Sequence, residues 1–214
     1  MLRTRNLLVI FLPALILAFL ALFIRVIQYE PLFPKENTEG ESAKDQFVVP
    51  LFNNDPILGD KKAPLTVIAF EDFGCEACSY QDTLISALLE QYPKKVKFVW
   101  KTLPVTKFPY PTDRAARYGF CADEQNQFEE FKRFAFANED NLSEAGLEQI
   151  AEAMKLDKNR LTRCLAGADV ETHMTKNQQL ALLLNVQAVP TFFVDNVQIS
   201  TPQSIDQWKA VLNL

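Results

Sequence analysis

The sequence predicts an α/β protein whose central mixed sheet is flanked by helices and interrupted by an inserted helical block. Two observations point there. The order of segments is strand, helix, strand, a long helical stretch, two strands and a closing helix. The first strong strand also runs straight into a helix through a tight, cysteine-bearing turn, "FEDFGCEACSYQ". The 214 residues are 48% hydrophobic and 23% charged, an ordinary globular balance, and 17 phenylalanines provide for a sizeable core.

The chain opens with "MLRTRN" and then 18 apolar residues, Leu7 to Ile24. As a helix this run spans about 27 Å, close to the hydrocarbon thickness of a bilayer. A cleaved signal peptide usually has a shorter apolar stretch and a small-x-small site, which "ALFIRVIQYEPLF" lacks. The expectation is therefore an uncleaved anchor over 7–24. Arg3 and Arg5 hold residues 1–6 in the cytoplasm and leave the body on the outer face of the cell membrane or in the periplasm. Residues 25–45 are polar and acidic, with Pro31, Pro34 and "ENTEGES", and read as a tether. The domain proper is expected over 46–214.

Net charge is −5; Arg3, Arg5 and Arg25 are the only charges in the first 25 positions, so the remainder carries −8. An acidic body lacks the cations that displace counterions from a nucleic-acid backbone, and no nucleic-acid partner is expected.

"DQFVVPLFNNDPILGDKKAP" holds a short first strand, and "LTVIAFE" (65–71), rich in strand formers between Pro64 and Gly74, is the second. A helix runs from Cys75 with Leu84, Ile85, Leu88 and Leu89 on its apolar side and ends at Pro93. "KVKFVWKTLP" alternates around Val96, Phe98 and Trp100 as a strand. A long helical stretch from Asp113 to Asn138 opens the insertion, expected over about 110–185. Within it "FEEFKRFAF" has the spacing of a core-facing stripe rather than an aromatic binding surface. "LSEAGLEQIAEAM" starts a helix at Ser143 with Glu144 in its first turn, and helices follow in "DKNRLTRCLAG" and "DVETHMTKNQQLALLLN". "PTFFVDN" and "VQIS" return to strand, and the chain closes in a helix around Trp208.

Cys75 and Cys78 sit one helical turn apart at a strand end. That spacing serves a redox pair, half of a zinc site or a local structural bridge. Zinc needs two further ligands at suitable spacing. The chain has one histidine, His173, and its other cysteines, Cys121 and Cys164, are isolated; no metal is expected. At the first turn of a helix, unpaired N–H groups and the positive end of the dipole favour thiolate. Cys75 thus reads as the nucleophile and Cys78 as the resolving partner.

"DPILGDKKAPLTVIAFEDFGCEAC", followed about 110 residues later by "VPTFFVD", resembles the thioredoxin-fold DsbA family of thiol–disulfide oxidoreductases, from about Asp55 to the C-terminus. The resemblance implies a thioredoxin fold carrying an inserted helical subdomain. It implies a Val189–Pro190 bond that is cis and faces the cysteine pair, with the backbone beside Val189 free to pair with an extended substrate peptide. It also implies exchange of disulfides with secreted or membrane proteins through Cys75–Cys78, in the dithiol-oxidase direction, and a quinone-linked membrane partner that reoxidises the pair. Thiol-containing proteins are the expected substrates, and no cofactor is called for, because the electrons stay in the protein as a dithiol. Alternatives remain: a reductase or isomerase kept reduced by a membrane electron donor, or a thioredoxin-like metal- or substrate-binding module, against which the lack of a His or Met cluster argues.

Members of the family often bury an acidic residue six positions before the first cysteine; here that position is Ala69. Glu71 has the same strand parity and reads either as a substitute proton relay or as solvated surface, while Asp72 reads as a loop or capping carboxylate. Glu76, between the cysteines, places a carboxylate beside the Cys75 thiolate, opposing the helix dipole and making the pair less oxidising. Outside the cytoplasm the lone cysteines Cys121 and Cys164 invite pairing, and similar proteins often have cysteines at these two places; two buried free thiols are the alternative. His173, among polar residues, is expected to be solvated and without a role.

Overall fold

Strand β2 (Leu65–Glu71) is the centre of a five-stranded sheet with the order β1-β3-β2-β4-β5. A computed structural model describes residues 16–21 and 48–214. Beside β2 lie β3 (Val96–Thr102), parallel to it, and β4 (Thr191–Val194), antiparallel. The edges are β1 (Ile57–Gly59) against β3 and β5 (Val197–Ile199) against β4, both antiparallel. The register sets Ala69 between Trp100 and Phe192. A parallel β2–β3 pair needs a crossover, and α1 (Glu76–Gln91) supplies it.

The predicted anchor over 7–24 and the tether over 25–45 lie outside the described residues, apart from 16–21, which are helical. Among the described residues no helix is long and apolar enough to cross a membrane. Phe47–Leu214 forms one compact unit.

Between β3 and β4 the chain inserts α2 (Asp113–Asp123), α3 (Phe128–Ala137), a 3₁₀ turn (Glu139–Asn141), α4 (Glu144–Ala153), α5 (Lys158–Leu165) and α6 (Ala168–Leu183); α7 (Ile205–Leu212) ends the chain. The single long helix expected over 113–138 is two helices. Asn126 adopts φ 58°, Asn126 N–H donates to Asp123 O and Gln127 N–H to Ala122 O, a paired cap that stops α2 without glycine or proline.

Alternation along β2 divides the core. Val67 and Ala69 face α1 and the helical block, together with Phe98, Trp100, Phe192 and Trp208. Ile68 and Phe70 face α6, meeting Val99, Phe193, Leu180 and Ala181. The Phe-rich stripe of α3 is core: Phe128 and Phe131 close on Phe73, which stacks on Trp100 at 5.2 Å between ring centroids. These rings join the insertion to the loop that carries the cysteine pair. Each such aromatic contact adds about 0.5–1.5 kcal/mol beyond its buried area.

His173 is not solvated. It is 4% exposed, because positions 170, 173, 177 and 180 form the buried stripe of α6 while the polar neighbours that surround it in sequence point outward. Asn177 Nδ2 lies 3.0 Å from its Nε2, and the Phe120 ring packs 4.9 Å away. Lys101 is also fully buried. Its Nζ donates to Asp55 Oδ2 at 2.5 Å and Pro50 O at 2.9 Å, over the face of Phe52.

Candidate active site

The site stands where central strand β2 gives way to α1. Cys75 is the N-cap of α1, with extended backbone (φ −105°, ψ 109°), and its Sγ accepts a hydrogen bond from Cys78 N–H at 3.2 Å. Sulfur thus takes the place usually filled by a serine or aspartate oxygen. Cys75 and Cys78 are disulfide-bonded, their Cα atoms 5.2 Å apart. Cys75 is half-buried, whereas Cys78 is wholly buried. Only one sulfur of the pair is open to an incoming thiol.

Across the opening, the Val189–Pro190 peptide bond is cis, and the Val189 carbonyl oxygen lies 3.7 Å from Cys75 Sγ. Val189 and Pro190 are both partly exposed. Thr191 Oγ1 donates to Ala188 O at 2.7 Å and holds this turn at the head of β4. The sheet register places β4 beside β2, so residues more than a hundred positions apart meet at one end of the sheet.

Asp72 is a loop carboxylate. It is buried, and its Oδ2 accepts from Val105 N–H (2.9 Å) and Thr106 N–H (2.7 Å). The β3–α2 loop is thereby tied to the cysteine turn. A Cβ on Gly74 would stand 2.6 Å from Thr112 Cγ2 and 3.0 Å from Thr106 Cγ2, so the close approach of loop and turn requires glycine there.

Glu71 shares the β2 face of Val67 and Ala69 and is 1% exposed, which removes the solvated-surface alternative. Burial pushes its carboxyl up to about 8; Lys132 pulls the other way and Asp82 adds to the rise. The acid is therefore mostly protonated at neutral pH. Glu76 is exposed in the first turn of α1. Glu139 is held above the ordinary carboxylate range by burial, then by Asp140 and Glu76, so the rim near Glu76 is acidic.

Cys121 and Cys164 are disulfide-bonded, with Cα atoms 5.8 Å apart, tying α2 to α5. They lie inside the insertion and take no part in the opening at Cys75. A cleft of about 520 Å³ between α2, α4 and α5, lined by Arg114, Tyr118, Glu144 and Leu161, also stands apart from the cysteine pair. Among the described residues no cluster of three or more His, Cys, Asp or Glu side chains is gathered where it could hold a metal ion.

Two residues near the site escaped the sequence reading: Asp82 and Lys132, which form an ion pair between α1 and α3. A signal was present for each. Asp82 is four positions after Cys78, and Lys132 falls on the same stripe as Phe128 and Phe131.

Residues 52–213 match the family model described as thioredoxin. The Na(+)/H(+) antiporter NhaA 3 of Salinispora tropica is 31% identical over 160 residues, covering 75% of this chain and 24% of that protein. The chain thus spans about a quarter of the length of such curated relatives. A Rickettsia typhi protein named for protein-disulfide oxidoreductase activity is 25% identical over 155 residues, 68% of this chain and 56% of that one. The crystal structure of a thioredoxin-like oxidoreductase from Silicibacter pomeroyi superposes with a TM-score of 0.69 at 25% identity, covering 76% of this chain and 92% of the other.

Proposed function

This chain belongs to the thioredoxin family, and we propose that it is a DsbA-like thiol–disulfide oxidoreductase that works as a dithiol oxidase on proteins outside the cytoplasm. The observation that carries this reading is the asymmetry of the pair. Cys75 is half-buried at a helix N-terminus beside the Val189 carbonyl, and Cys78 is sealed beneath it.

A substrate thiolate attacks Cys75 Sγ, and the Cys75–Cys78 bond breaks. Cys78 leaves as a thiolate, buried beneath Cys75 in the first turn of α1. Glu71, protonated in its buried position, gives that thiolate its proton. A second substrate thiolate then attacks the substrate sulfur of the mixed disulfide, and the substrate departs oxidised. Cys75 is released as thiolate; two electrons remain in the protein as a dithiol. Val189 offers its backbone to the extended substrate beside the cysteine, and Pro190 fixes the turn that presents it.

The Leu7–Ile24 run and Arg3/Arg5 support a membrane-anchored body on the outer side. A quinone-linked membrane protein is the proposed oxidant of the dithiol. A second reading, reductase or isomerase, draws on the acidic rim of Glu76 and Glu139, which disfavours thiolate at Cys75.

The deciding experiment is the redox equilibrium of Cys75–Cys78 with glutathione, paired with oxidation of a reduced, unfolded substrate. An oxidase requires a potential well above the thioredoxin value of about −270 mV. A potential at or below that value, with no substrate oxidation, selects the reductase. Protease added to intact spheroplasts should degrade the body; protection there overturns the placement.

A further inference from the structure

The cleft of about 520 Å³ between α2, α4 and α5 has the size of a ligand-binding site. Ala151 of α4, with Leu161 and Leu165 of α5, gives it an apolar floor. Tyr118 of α2 forms one wall; the residue is 2% exposed, and its hydroxyl donates to Glu144 Oε1 at 3.1 Å. The opposite wall is acidic. Glu144, Glu148 and Glu152 recur every four residues, so one ridge of α4 carries three carboxylates along the cleft. Two of them are matched. Arg114 clasps Glu144 through Nε at 2.6 Å and Nη2 at 2.7 Å, and Lys158 Nζ meets Glu152 Oε1 at 2.6 Å. Among the described residues the carboxylate between them, Glu148, has no ion-pair partner. Two cations against three carboxylates leave the cleft one negative charge in excess, placed over an apolar floor.

We propose that this cleft is a docking site for a polypeptide segment in which an arginine or lysine stands next to an apolar residue. The cation meets Glu148, while its methylene stem and the apolar neighbour cover Leu161 and Leu165. Such a segment supplies both halves of what the cleft offers. An acidic segment meets an uncompensated carboxylate, and an apolar segment without a cation desolvates Glu148 and leaves it unpaired. The Arg114–Glu144 and Glu152–Lys158 pairs at the two ends are open to solvent. They offer hydrogen-bonding groups to a chain that passes over the rim, beyond the reach of a small isolated cation. The site belongs to the insertion and stands apart from the cysteine pair, so a docked segment leaves the opening beside Val189 free. The inference does not depend on the direction of exchange at Cys75–Cys78.

Methyl NMR of the full chain in detergent, labelled at alanine and leucine methyls, reads Ala151, Leu161 and Leu165 directly. The probe is the peptide acetyl-Leu-Arg-Leu-amide. Its citrulline counterpart keeps the shape and loses the charge; agmatine keeps the guanidinium and loses the chain. The arginine peptide should shift these methyls saturably, with a Kd in the millimolar range or below. It should bind about fivefold tighter than the citrulline peptide, the upper range for an exposed ion pair. Glu148→Gln should abolish that preference and leave citrulline binding unchanged, a coupling that a diffuse acidic surface does not produce. Glu148→Lys should reverse the preference. Glu148 is exposed on α4, so both variants should keep the wild-type rate of Cys75–Cys78 opening by dithiothreitol. The comparison of the two peptides on the wild type stands without either variant. No saturable shift, equal binding of the two peptides, or an arginine preference that survives Glu148→Gln overturns the proposal. Agmatine binding as tightly as the arginine peptide overturns the polypeptide assignment, because a small organic cation then suffices.

Discussion

Cys75 Sγ lies 3.7 Å from the Val189 carbonyl oxygen, whereas Cys78, one turn further along α1, has no exposed surface. A thiol arriving beside Val189 meets one sulfur and not the other. Cys78→Ser should therefore accumulate mixed disulfides with substrate through Cys75, since the resolving thiol is gone, and Cys75→Ser should accumulate few. Non-reducing electrophoresis with mass mapping of the trapped cysteine checks this; adducts mainly at Cys78 reverse the roles.

The Cys121–Cys164 bridge closes a loop with a sequence separation of 43 and has Cys121 fully buried. It should stay closed at reductant concentrations that open Cys75–Cys78, because a buried structural disulfide resists reduction. The double variant Cys121→Ser/Cys164→Ser should lose about 2–4 kcal/mol of unfolding free energy, near the chain-entropy value of about 4. Graded reduction with alkylation mapping and urea unfolding provide the two measurements. Free Cys121 in untreated protein contradicts the expectation.

Glu71 makes the wild type less stable as pH rises. In the unfolded chain its carboxyl loses the proton above about pH 4.5, while in the fold it keeps the proton until about 8. The unfolded state thus binds fewer protons between these values. The stability contributed by neutral Glu71 is complete below pH 4.5 and is lost as pH rises through 8. Glu71→Gln, neutral throughout, should be the more stable protein at pH 8 by about 1–3 kcal/mol relative to its difference at pH 5. Parallel pH dependences in urea unfolding would count against this.

His173 acts on the acid side. Burial, then Lys101 and Lys176, hold its imidazole down at about 4, against 6.5 when unfolded. Its contribution is complete above pH 6.5 and is lost as pH falls through 4, because the unfolded chain takes up the proton first. His173→Gln should flatten this limb by about 2 kcal/mol between pH 6.5 and 4, at a cost of about 1 kcal/mol in lost packing at pH 7. Thermal unfolding across that range reads the difference.

Glu76 stands exposed in the first turn, beside the sulfur whose anion the helix stabilises. Glu76→Gln removes a repelling charge, so the Cys75 thiolate should form at lower pH and the pair should become more oxidising. Thiolate absorbance against pH and glutathione equilibrium should move together. An unchanged potential removes Glu76 as a tuning residue.

Periodicity made most of the fold visible in advance. "LTVIAFE" is β2 to the residue, and the spacing of Leu84, Ile85, Leu88 and Leu89 marks α1. The cysteine pair was legible because spacing and strand end are local features. The break between α2 and α3 was not, since "EQNQ" carries neither glycine nor proline and the turn depends on Asn126 entering the left-handed region. Lys132, Lys101 and His173 were hidden for another reason. A polar residue on an apolar stripe looks like surface until its partner is known, and Asp82 and Asp55 stand 50 and 46 positions away from their lysines. Glu71 lay between two readings because parity assigns a face but not a depth.

Asp72 ties the β3–α2 loop to the cysteine turn by two hydrogen bonds, and that loop carries Val105, Phe108 and Tyr110 with their side chains open to solvent. The tie runs from a side chain to backbone amides, so it is indifferent to which residues the loop displays. The outward residues of the loop can therefore be exchanged without loosening the carboxylate that holds the loop against the cysteine turn.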